Sequence, residues 1–563
     1  MKKYVSDFET AKDNSDNMFV WEYAVVTIED DPTVVSFGNN IDSFFNCMIK
    51  NPGEYYFHNA KFDAEYIISY LYNKGYKYTE NKELKEKEFC ALYSDSGEFY
   101  NLKICFKAYS HKKISVSIKD SLKVIPMSVD KIPKAFGLDD KKLKENVDHK
   151  KQRNFGYIPT EEEKEYVIKD CVIVAKALYQ LFEMGLTKLT IASNAFSFFK
   201  KDFSKNEWDR LFPEPVFDYD IRQAFKGGWT FVKKDRANKD IGEGLVLDCN
   251  GLYSYVMKHK KLPYGEGKLF YGKYEEDKVY DLYIQMIRCE FKLKPGKLPM
   301  IQLKNSLFFC ENEYIEETMD EPIVLYLTNI DLELFFDNYD VYDIEYIRGW
   351  KYKSKTGIFD KYIDYWAGLK AQATIDGNKG LRTISKLMLN ALFGKFAIKP
   401  KFKSKVPYLK GDGSIGYAKT EEKERNAIYI PMGVFITSYG RDITIRAAVA
   451  NYDRFLYADT DSLHLSEREL PCGLNIDDVE LGAWKIENTF SRARYIKPKC
   501  YIEDVSEDFN EKLIVRCSGM PESCHKYVTW DNFKLGQSYD GKLAIKHGIG
   551  GVELIDTKFT IMC

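Results

Sequence analysis

Arg454-Phe455-Leu456-Tyr457-Ala458-Asp459-Thr460-Asp461-Ser462-Leu463-His464-Leu465 reads as a strand, a tight turn and a second strand. Aromatic and aliphatic residues lead into Asp-Thr-Asp, and Ser-Leu-His-Leu alternates polar and apolar on the way back. Two carboxylates therefore stand at a hairpin tip. Like charges held that close raise each other's pKa unless a cation joins them, and hard oxygen ligands at this spacing suit Mg²⁺ or Mn²⁺. Asp-x-Asp alone is more often an Asx-type turn on a solvated loop, so the rest of the chain has to decide.

At 563 residues the chain is long enough for several cores. Lys+Arg 83 against Asp+Glu 85 leaves a net charge of -2, so any polyanionic partner must be met by local patches rather than a global field. Aromatic residues make up 15%, which suits stacking on bases and core filling alike. No apolar run is long enough to span a bilayer, and Met1-Lys2-Lys3-Tyr4 leads into a strand pattern instead of a signal-peptide core. The 12 cysteines are scattered singly, with no zinc-ligand spacing, as reduced thiols are. These features give the expectation of a cytoplasmic protein without structural zinc.

In Lys3-Tyr4-Val5-Ser6-Asp7-Phe8-Glu9-Thr10 the period of two puts Asp7 and Glu9 on one face of a strand. The aromatic strand Tyr55-Tyr56-Phe57 runs through His58-Asn59-Ala60-Lys61-Phe62 to a third acid, Asp63. Thr160 and Glu163 form a capping-box pattern at the start of a helix on which Tyr166 and Asp170, four apart, share a stripe with Ile173 and Ala177. A carboxylate on an inward stripe needs a partner, and a metal shared with Asp7, Glu9 and Asp63 supplies one. Each acid alone reads more readily as a surface or capping residue. The ordered set Asp-x-Glu, Asn-x-x-x-Asp and Tyr-x-x-x-Asp resembles the 3′-5′ proofreading exonucleases of the DEDD type with a tyrosine, which have a ribonuclease H-like fold. That resemblance implies that four carboxylates, Asp7, Glu9, Asp63 and Asp170, hold two divalent ions while Tyr166 orients the attacking water. It further implies that Lys144 assists and that Asn59, Phe62, Ser121, Leu122 and His149 grip a single-stranded 3′ end. His149 stands where tyrosine is usual.

Farther on, Phe225-Lys226-Gly227-Gly228-Trp229 offers a glycine pair that allows close backbone approach. The apolar run Gly244-Leu245-Val246-Leu247 ends in Asp248, and Gly251-Leu252-Tyr253-Ser254-Tyr255-Val256-Met257 reads as a helix. A strand-capping aspartate and a metal ligand are equally compatible with Asp248 until Asp461 is set beside it. Over 386–394 a helical wheel puts Lys386, Asn390 and Phe393 on one face and Ile384, Leu387, Met388 and Ala391 opposite. Lysine suits a triphosphate and an aromatic ring stacks on a base. Lys395-Phe396-Ala397-Ile398-Lys399-Pro400-Lys401-Phe402-Lys403-Ser404-Lys405 carries five lysines and no acid, a phosphate-tracking pattern that a solvated loop shares. Lys497-Pro498-Lys499-Cys500-Tyr501 repeats the basic-aromatic theme.

Asp248-Cys249-Asn250-Gly251-Leu252-Tyr253, Lys386 to Gly394, Tyr457-Ala458-Asp459-Thr460-Asp461-Ser462 and Lys499-Cys500-Tyr501 resemble, in order, motifs A, B, C and Lys-x-Tyr of family B DNA polymerases. Leu262-Pro263-Tyr264-Gly265-Glu266, Tyr429 to Thr437 and Gly550-Gly551-Val552 match the protein-primed branch of small Bacillus phages, the phi-29 type. The implied fold is α+β and multidomain: an exonuclease domain, 1–188, then a right-hand polymerase. Its parts would be palm 189–260, insertion 1 261–357, fingers 358–396, insertion 2 397–427, palm 428–529 and thumb 530–563. Asp248 and Asp461 would hold two Mg²⁺ or Mn²⁺ ions, as at the first site, with Asp459 in support. Tyr253, Lys370, Lys386, Asn390 and Phe393 would bind dNTP. Phe225, Gly227, Gly228, Lys395, Lys499 and Tyr501 would contact DNA. The implied partners are primer-template DNA, the displaced strand, dNTPs, a terminal protein primer and a phage single-stranded DNA-binding protein. The chain would act as a monomer in the host cytoplasm. The sequence departs from the family at Gly251 and Ser254 in motif A, at Phe393 in motif B and at Phe225 in the linker. Two other readings compete: an exonuclease whose C-terminal part only grips DNA, and a non-catalytic scaffold. Both acid sets being intact counts against each.

Overall fold

The structure, a computed structural model, describes residues 1–109, 113–139, 153–302, 314–318, 321–505 and 513–562. Lys144 and His149 lie outside the described residues. The N-terminal sheet is built on the strand Lys2–Lys12, which runs antiparallel to Met18–Thr27 and parallel to Gly53–Phe57; Lys113–Asp120 continues the sheet. Alternation along the first strand sends Tyr4 and Phe8 into one core with Phe44 and Tyr55, and Val5 into another with Val167 and Cys171. Asp7 and Glu9 share the parity of Val5, so they face the helix Glu161–Glu183. Both reciprocal bonds of the capping box form at that helix's start, a device contributing about 1 kcal/mol. Tyr166, Asp170, Ile173 and Ala177 are all buried.

The second sheet is antiparallel throughout its described strands, in the order Leu513–Cys517, Cys500–Val505, Trp484–Lys497, Gly244–Cys249, Ser462–Ser466, Phe455–Asp459, Thr230–Val232. Its central strand carries Asp248 opposite Ser462. The helix Ile430–Ala450 opens on Pro431 and is apolar on nearly all sides, which is why it runs through the core against this sheet. The strands Leu262–Tyr271, Tyr339–Lys355, Leu282–Leu293 and Ile323–Thr328 form, in that order, a separate antiparallel sheet. The helices Asp360–Ile375 and Lys379–Ala391 make an antiparallel hairpin that turns at Gly377, φ 67°, and is capped by Asn378.

Two expectations change here. The second helix of that hairpin stops at Ala391, and Phe393 sits in a 3₁₀ turn over Phe393–Ala397. Its inner face is Ile384, Ser385, Met388 and Leu389, with Leu387 and Ala391 half-buried. The lysine-rich segment is no continuous loop either. It pairs as the short strands Lys401–Phe402 with Lys423–Glu424 and Lys405–Leu409 with Ile415–Lys419, and acids absent from the segment reach it from elsewhere: Glu422 lies 3.6 Å from Lys401. Lys395 Nζ is half-buried and donates to Ser193 Oγ at 2.8 Å.

The segments close on one another. Tyr72 of the N-terminal unit donates to the Pro407 carbonyl at 2.8 Å, and Tyr417 donates to Glu65. The C-terminal hairpin Ser538–Gly548 and Gly551–Thr560 receives the Met18 amide on the Ile549 carbonyl at 2.7 Å and the Tyr66 hydroxyl on the Val552 carbonyl. Ile549 also borders Gly413 at the turn before Ile415–Lys419. No helix of the described residues is long and apolar enough to cross a membrane.

Candidate active sites

The first cluster of acids forms where the strand Lys2–Lys12 meets the helix Asp63–Asn73 and the helix Glu161–Glu183. Their convergence registers on a bystander. The buried Cys171 thiol is pushed well up by burial and then by the charges of Asp7, Asp170, Asp63 and Glu9. Asp63 opens its helix, where the helix N-terminus favours an anion. Burial nevertheless pushes its carboxyl up to about 8, with Asp120 and Glu9 adding to the effect. A carboxylate so placed is favoured in its charged form by any cation brought beside it. The donor set, hard oxygens only, fits Mg²⁺ or Mn²⁺ by its chemistry, while among the described residues no group of three or more acidic, histidine or cysteine side chains is placed to hold a metal ion.

Asp120 ties the surrounding loops together. Its Oδ1 accepts the backbone amides of Asn59 and Leu122, each at 3.0 Å, and Asn59 takes a left-handed backbone at φ 67°. Ser121 is fully buried; its hydroxyl donates to the Phe57 carbonyl at 3.0 Å and lies 3.0 Å from His58 Nδ1. Its hydroxyl thus braces the loop that carries Asn59 and Phe62. Sequence reasoning also missed Glu22, the cross-strand partner of Glu9. It is 0% exposed, neither oxygen has a hydrogen-bond partner among the described residues, and burial followed by Glu9 raises its carboxyl to about 8. Only cross-strand register reveals that placement.

At the second cluster the turn Asp459-Thr460-Asp461 is a three-residue turn: the Asp461 amide donates to the Asp459 carbonyl at 2.7 Å and Thr460 sits at φ 63°. A β-branched residue there is strained and persists only when its surroundings hold it. They do. The Thr460 amide donates to the Trp229 carbonyl at 2.8 Å, and its own carbonyl accepts Thr444 Oγ1 at 2.6 Å. Gly228 lies so close that an added Cβ would meet the Thr460 side chain, 2.6 Å from Cγ2 and 2.9 Å from Cβ. Gly228 is therefore part of the hairpin's mounting.

Asp248 sits beside this turn, and the next amide, Cys249, donates to the Asp461 carbonyl at 2.7 Å. Burial first and then Asp248 push Asp461 up to about 6. Asp459 is instead held by neighbours: it accepts from Thr230 Oγ1 at 2.9 Å and lies 3.5 Å from Lys499 Nζ. Tyr457 joins the two motifs, donating to Asp459 at 3.4 Å and accepting the Lys499 amide at 3.0 Å. Tyr501 packs its ring 5.3 Å from that of Tyr457.

Two lysines stand beside Asp248, and two further cations stand beside the first of them. Lys370 is lowered by burial and then by Arg382, Lys386 and Lys485, with Asp248 opposing, and Lys485 Nζ is 3.3 Å from Asp248. Arg382, Lys386 and Asn390 follow one another at four-residue spacing on the exposed face of their helix. Arg382 and Lys485 were not singled out from the sequence; the four-residue spacing pointed to Arg382, and nothing local pointed to Lys485. Tyr253 lies one residue into the helix Leu252–His259, whose N-cap Gly251 is left-handed at φ 57°. Glycine suits that position, and the neighbouring Asn250 is pinned by its amide to the Ala483 carbonyl at 2.9 Å. The Tyr253 ring centroid is 4.0 Å from that of Phe393.

A buried ion pair supports the linker. Arg441, 3% exposed, donates to Asp331 at 2.6 and 3.2 Å and to the carbonyls of Lys226 and Gly227 at 2.8 and 3.0 Å. It thereby joins the helix Ile430–Ala450, the helix Asn329–Asn338 and the Phe225 to Gly228 linker.

The family described as DNA polymerase type B, organellar and viral, matches residues 45–156 and 139–475. The DNA polymerase of Bacillus phage phi29 is 40% identical over 578 residues, covering 100% of this chain and 99% of that protein. The structure of phi29 DNA polymerase with primer-template DNA and incoming nucleotide superimposes with TM-score 0.92 at 39% identity, and its complex with single-stranded DNA with 0.91 at 38%, each over 100% of both chains. A family match over most of the length and a full-length relative at this identity have one reading: the chain belongs to the type B DNA polymerases, in the group that includes the phi29 enzyme.

Proposed function

We propose that this DNA polymerase carries two separate two-cation sites, synthesises processively with strand displacement from a protein primer, and proofreads 3′ to 5′ during replication of a linear phage genome. The observation that carries this reading is the coexistence of two carboxylate clusters built on different sheets, one with a buried tyrosine four residues from Asp170 on the same helix and the other with Lys370 and Lys485 beside Asp248. The phi29 complexes support primer-template DNA, single-stranded DNA and dNTPs as ligands. In this reading the units are exonuclease 1–188, palm 189–260 and 428–529, insertions 261–357 and 397–427, fingers 358–396 and thumb 530–563.

At the synthetic site Asp248 and Asp461 would hold divalent cations, which supply charge neutralisation at the primer hydroxyl and the triphosphate. Lys370, Arg382, Lys386 and Lys485 draw the triphosphate oxygens onto the helix face that also presents Asn390. The Tyr253 ring, backed by Phe393, fills the space a ribose 2′-hydroxyl needs. Lys499 and Tyr501 steady the primer terminus through Tyr457, and Gly227 and Gly228 let the template approach. Asp459 fixes the turn. At the other site Asp7, Glu9, Asp63 and Asp170 would hold the cations, Tyr166 orients water, and Asn59 and Phe62 present the 3′ end. Strand displacement is supported by the closed circuit from Tyr72 and Glu65 through Pro407 and Tyr417 to Gly413, Ile549 and Met18. A ring of that kind keeps hold of its product. Terminal protein, single-stranded DNA-binding protein, monomeric action and the host cytoplasm are proposed on the family resemblance alone.

The test is extension of a labelled primer on a single-stranded circle with Mg²⁺, with and without dNTPs. Products longer than one lap support synthesis with displacement. Synthesis that stops at one lap contradicts the ring-closing role.

A further inference from the structure

Cys500 and Cys517 face each other across the antiparallel strands Cys500–Val505 and Leu513–Cys517. The Ser518 amide donates to the Lys499 carbonyl at 2.8 Å, so the pair is of the non-hydrogen-bonded class, with Cα atoms about 4.5 Å apart. Disulfides span Cα separations of about 4.4–6.8 Å. The two Sγ atoms are 3.2 Å apart, and a further approach of about 1.2 Å reaches bonding distance. Cys500 is fully buried and Cys517 half-buried, which leaves Cys517 as the sulfur a dissolved reagent meets. The hydrogen bond from Cys500 holds the Cys517 thiol below its usual range, with Lys497 acting in the same direction against burial; that bond and burial push Cys500 up. One sulfur is thus poised as nucleophile and the other as its resolving partner. Scattered spacing in the sequence hid the pair, because only strand register brings it together.

Cys500 lies between Lys499, held at φ 60° by Tyr457, and Tyr501, packed on the same ring. We propose that Cys500 and Cys517 are a reversible thiol–disulfide site that controls the grip of Lys499 and Tyr501 on the primer terminus, an inference that rests on the primer-grip reading above. With a small organic disulfide such as oxidised glutathione as the oxidant, the Cys517 thiolate attacks one of its sulfurs and expels the first thiolate. Cys500 then loses its proton, attacks the Cys517 sulfur of the mixed disulfide and expels the second. Two protein thiols are oxidised, the small disulfide is reduced to two thiols, and the two protons end on those thiols. Closing the bond draws Cys500 toward Leu513–Cys517 and shifts its neighbours; a displacement near 1 Å at a reacting centre can cost about 10²-fold.

The experiment treats the full chain with oxidised glutathione, alkylates free thiols, digests with trypsin and maps cross-linked peptides by mass spectrometry. Primer extension on the circle is measured in parallel. Cys524 shares a tryptic peptide with Cys517, so Cys524→Ser is used as the background. The expected result is a peptide joining Cys500 to Cys517, extension slowed about 10-fold or more, recovery with dithiothreitol, and no slowing in Cys517→Ser. Absence of the cross-link, or a cross-linked enzyme extending as fast as the enzyme with free thiols, would overturn the proposal. Mapping reads the thiol chemistry whatever the chain's activity, so slow extension before oxidation counts against the polymerase reading alone.

Discussion

Gly228→Ala tests whether the glycine pair serves the Asp459-Thr460-Asp461 turn or only the proposed approach of template. The added methyl would sit 2.6 Å from Thr460 Cγ2 and 2.9 Å from its Cβ, where ordinary contact needs about 3.5–4.0 Å. Thr460 cannot rotate out of the way as a unit, because its amide is bound to Trp229 and its carbonyl to Thr444. The strain passes to the backbone, about 1 Å of movement that carries Asp459 and Asp461 away from Asp248, and overpacking of this kind costs about 1–3 kcal/mol. A 1 Å misplacement predicts a fall in kcat for primer extension of about 10²-fold. Gly227 has nothing within 4 Å of a built Cβ, so Gly227→Ala should act on template KM rather than on kcat. The assay is single-nucleotide incorporation under saturating template, with digestion of free single-stranded DNA as the control. Equal kcat for Gly228→Ala and the parent, or a matching loss of digestion, would refute the argument.

Other outcomes follow from the charges. Arg441→Met leaves Asp331 buried without its counter-ion and should destabilise by about 3–5 kcal/mol, read by denaturant unfolding; adding Asp331→Leu should recover part of the loss, and additive losses would contradict the pairing. The two sites should also differ in pH dependence. Each raised carboxyl binds a proton in competition with the cation, so below its folded pKa the Mg²⁺ needed for half-maximal rate climbs about tenfold per pH unit. With Asp63 pushed to about 8 and Asp461 to about 6, single-strand digestion should demand more Mg²⁺ already between pH 8 and 7, and synthesis only below pH 6. Identical profiles would contradict these placements.

What could be read from the sequence was what is local. Asp7 and Glu9 were legible from a period of two, Tyr166 and Asp170 from a spacing of four, and Asp459 and Asp461 from a hairpin tip. What escaped depends on pairing between distant segments. Glu22 meets Glu9 through cross-strand register just before a bulge, and Lys485 reaches Asp248 from the neighbouring strand. Arg441 and Asp331 are 110 residues apart. The lysine count over 395–405 is silent on partners for the same reason, since Glu422 and Ser193 come from outside that window. Phe393 was placed on a helix because periodicity does not mark where an α-helix tightens into a 3₁₀ turn.

The central claim is that two independent carboxylate sites share one chain. It is tested most directly by measuring synthesis on a primed circle and digestion of single-stranded DNA for Asp461→Asn and Asp63→Asn, each checked for folding by circular dichroism. The account predicts that Asp461→Asn loses synthesis and keeps digestion, and that Asp63→Asn does the reverse. A folded variant of either kind that lost both activities would contradict it.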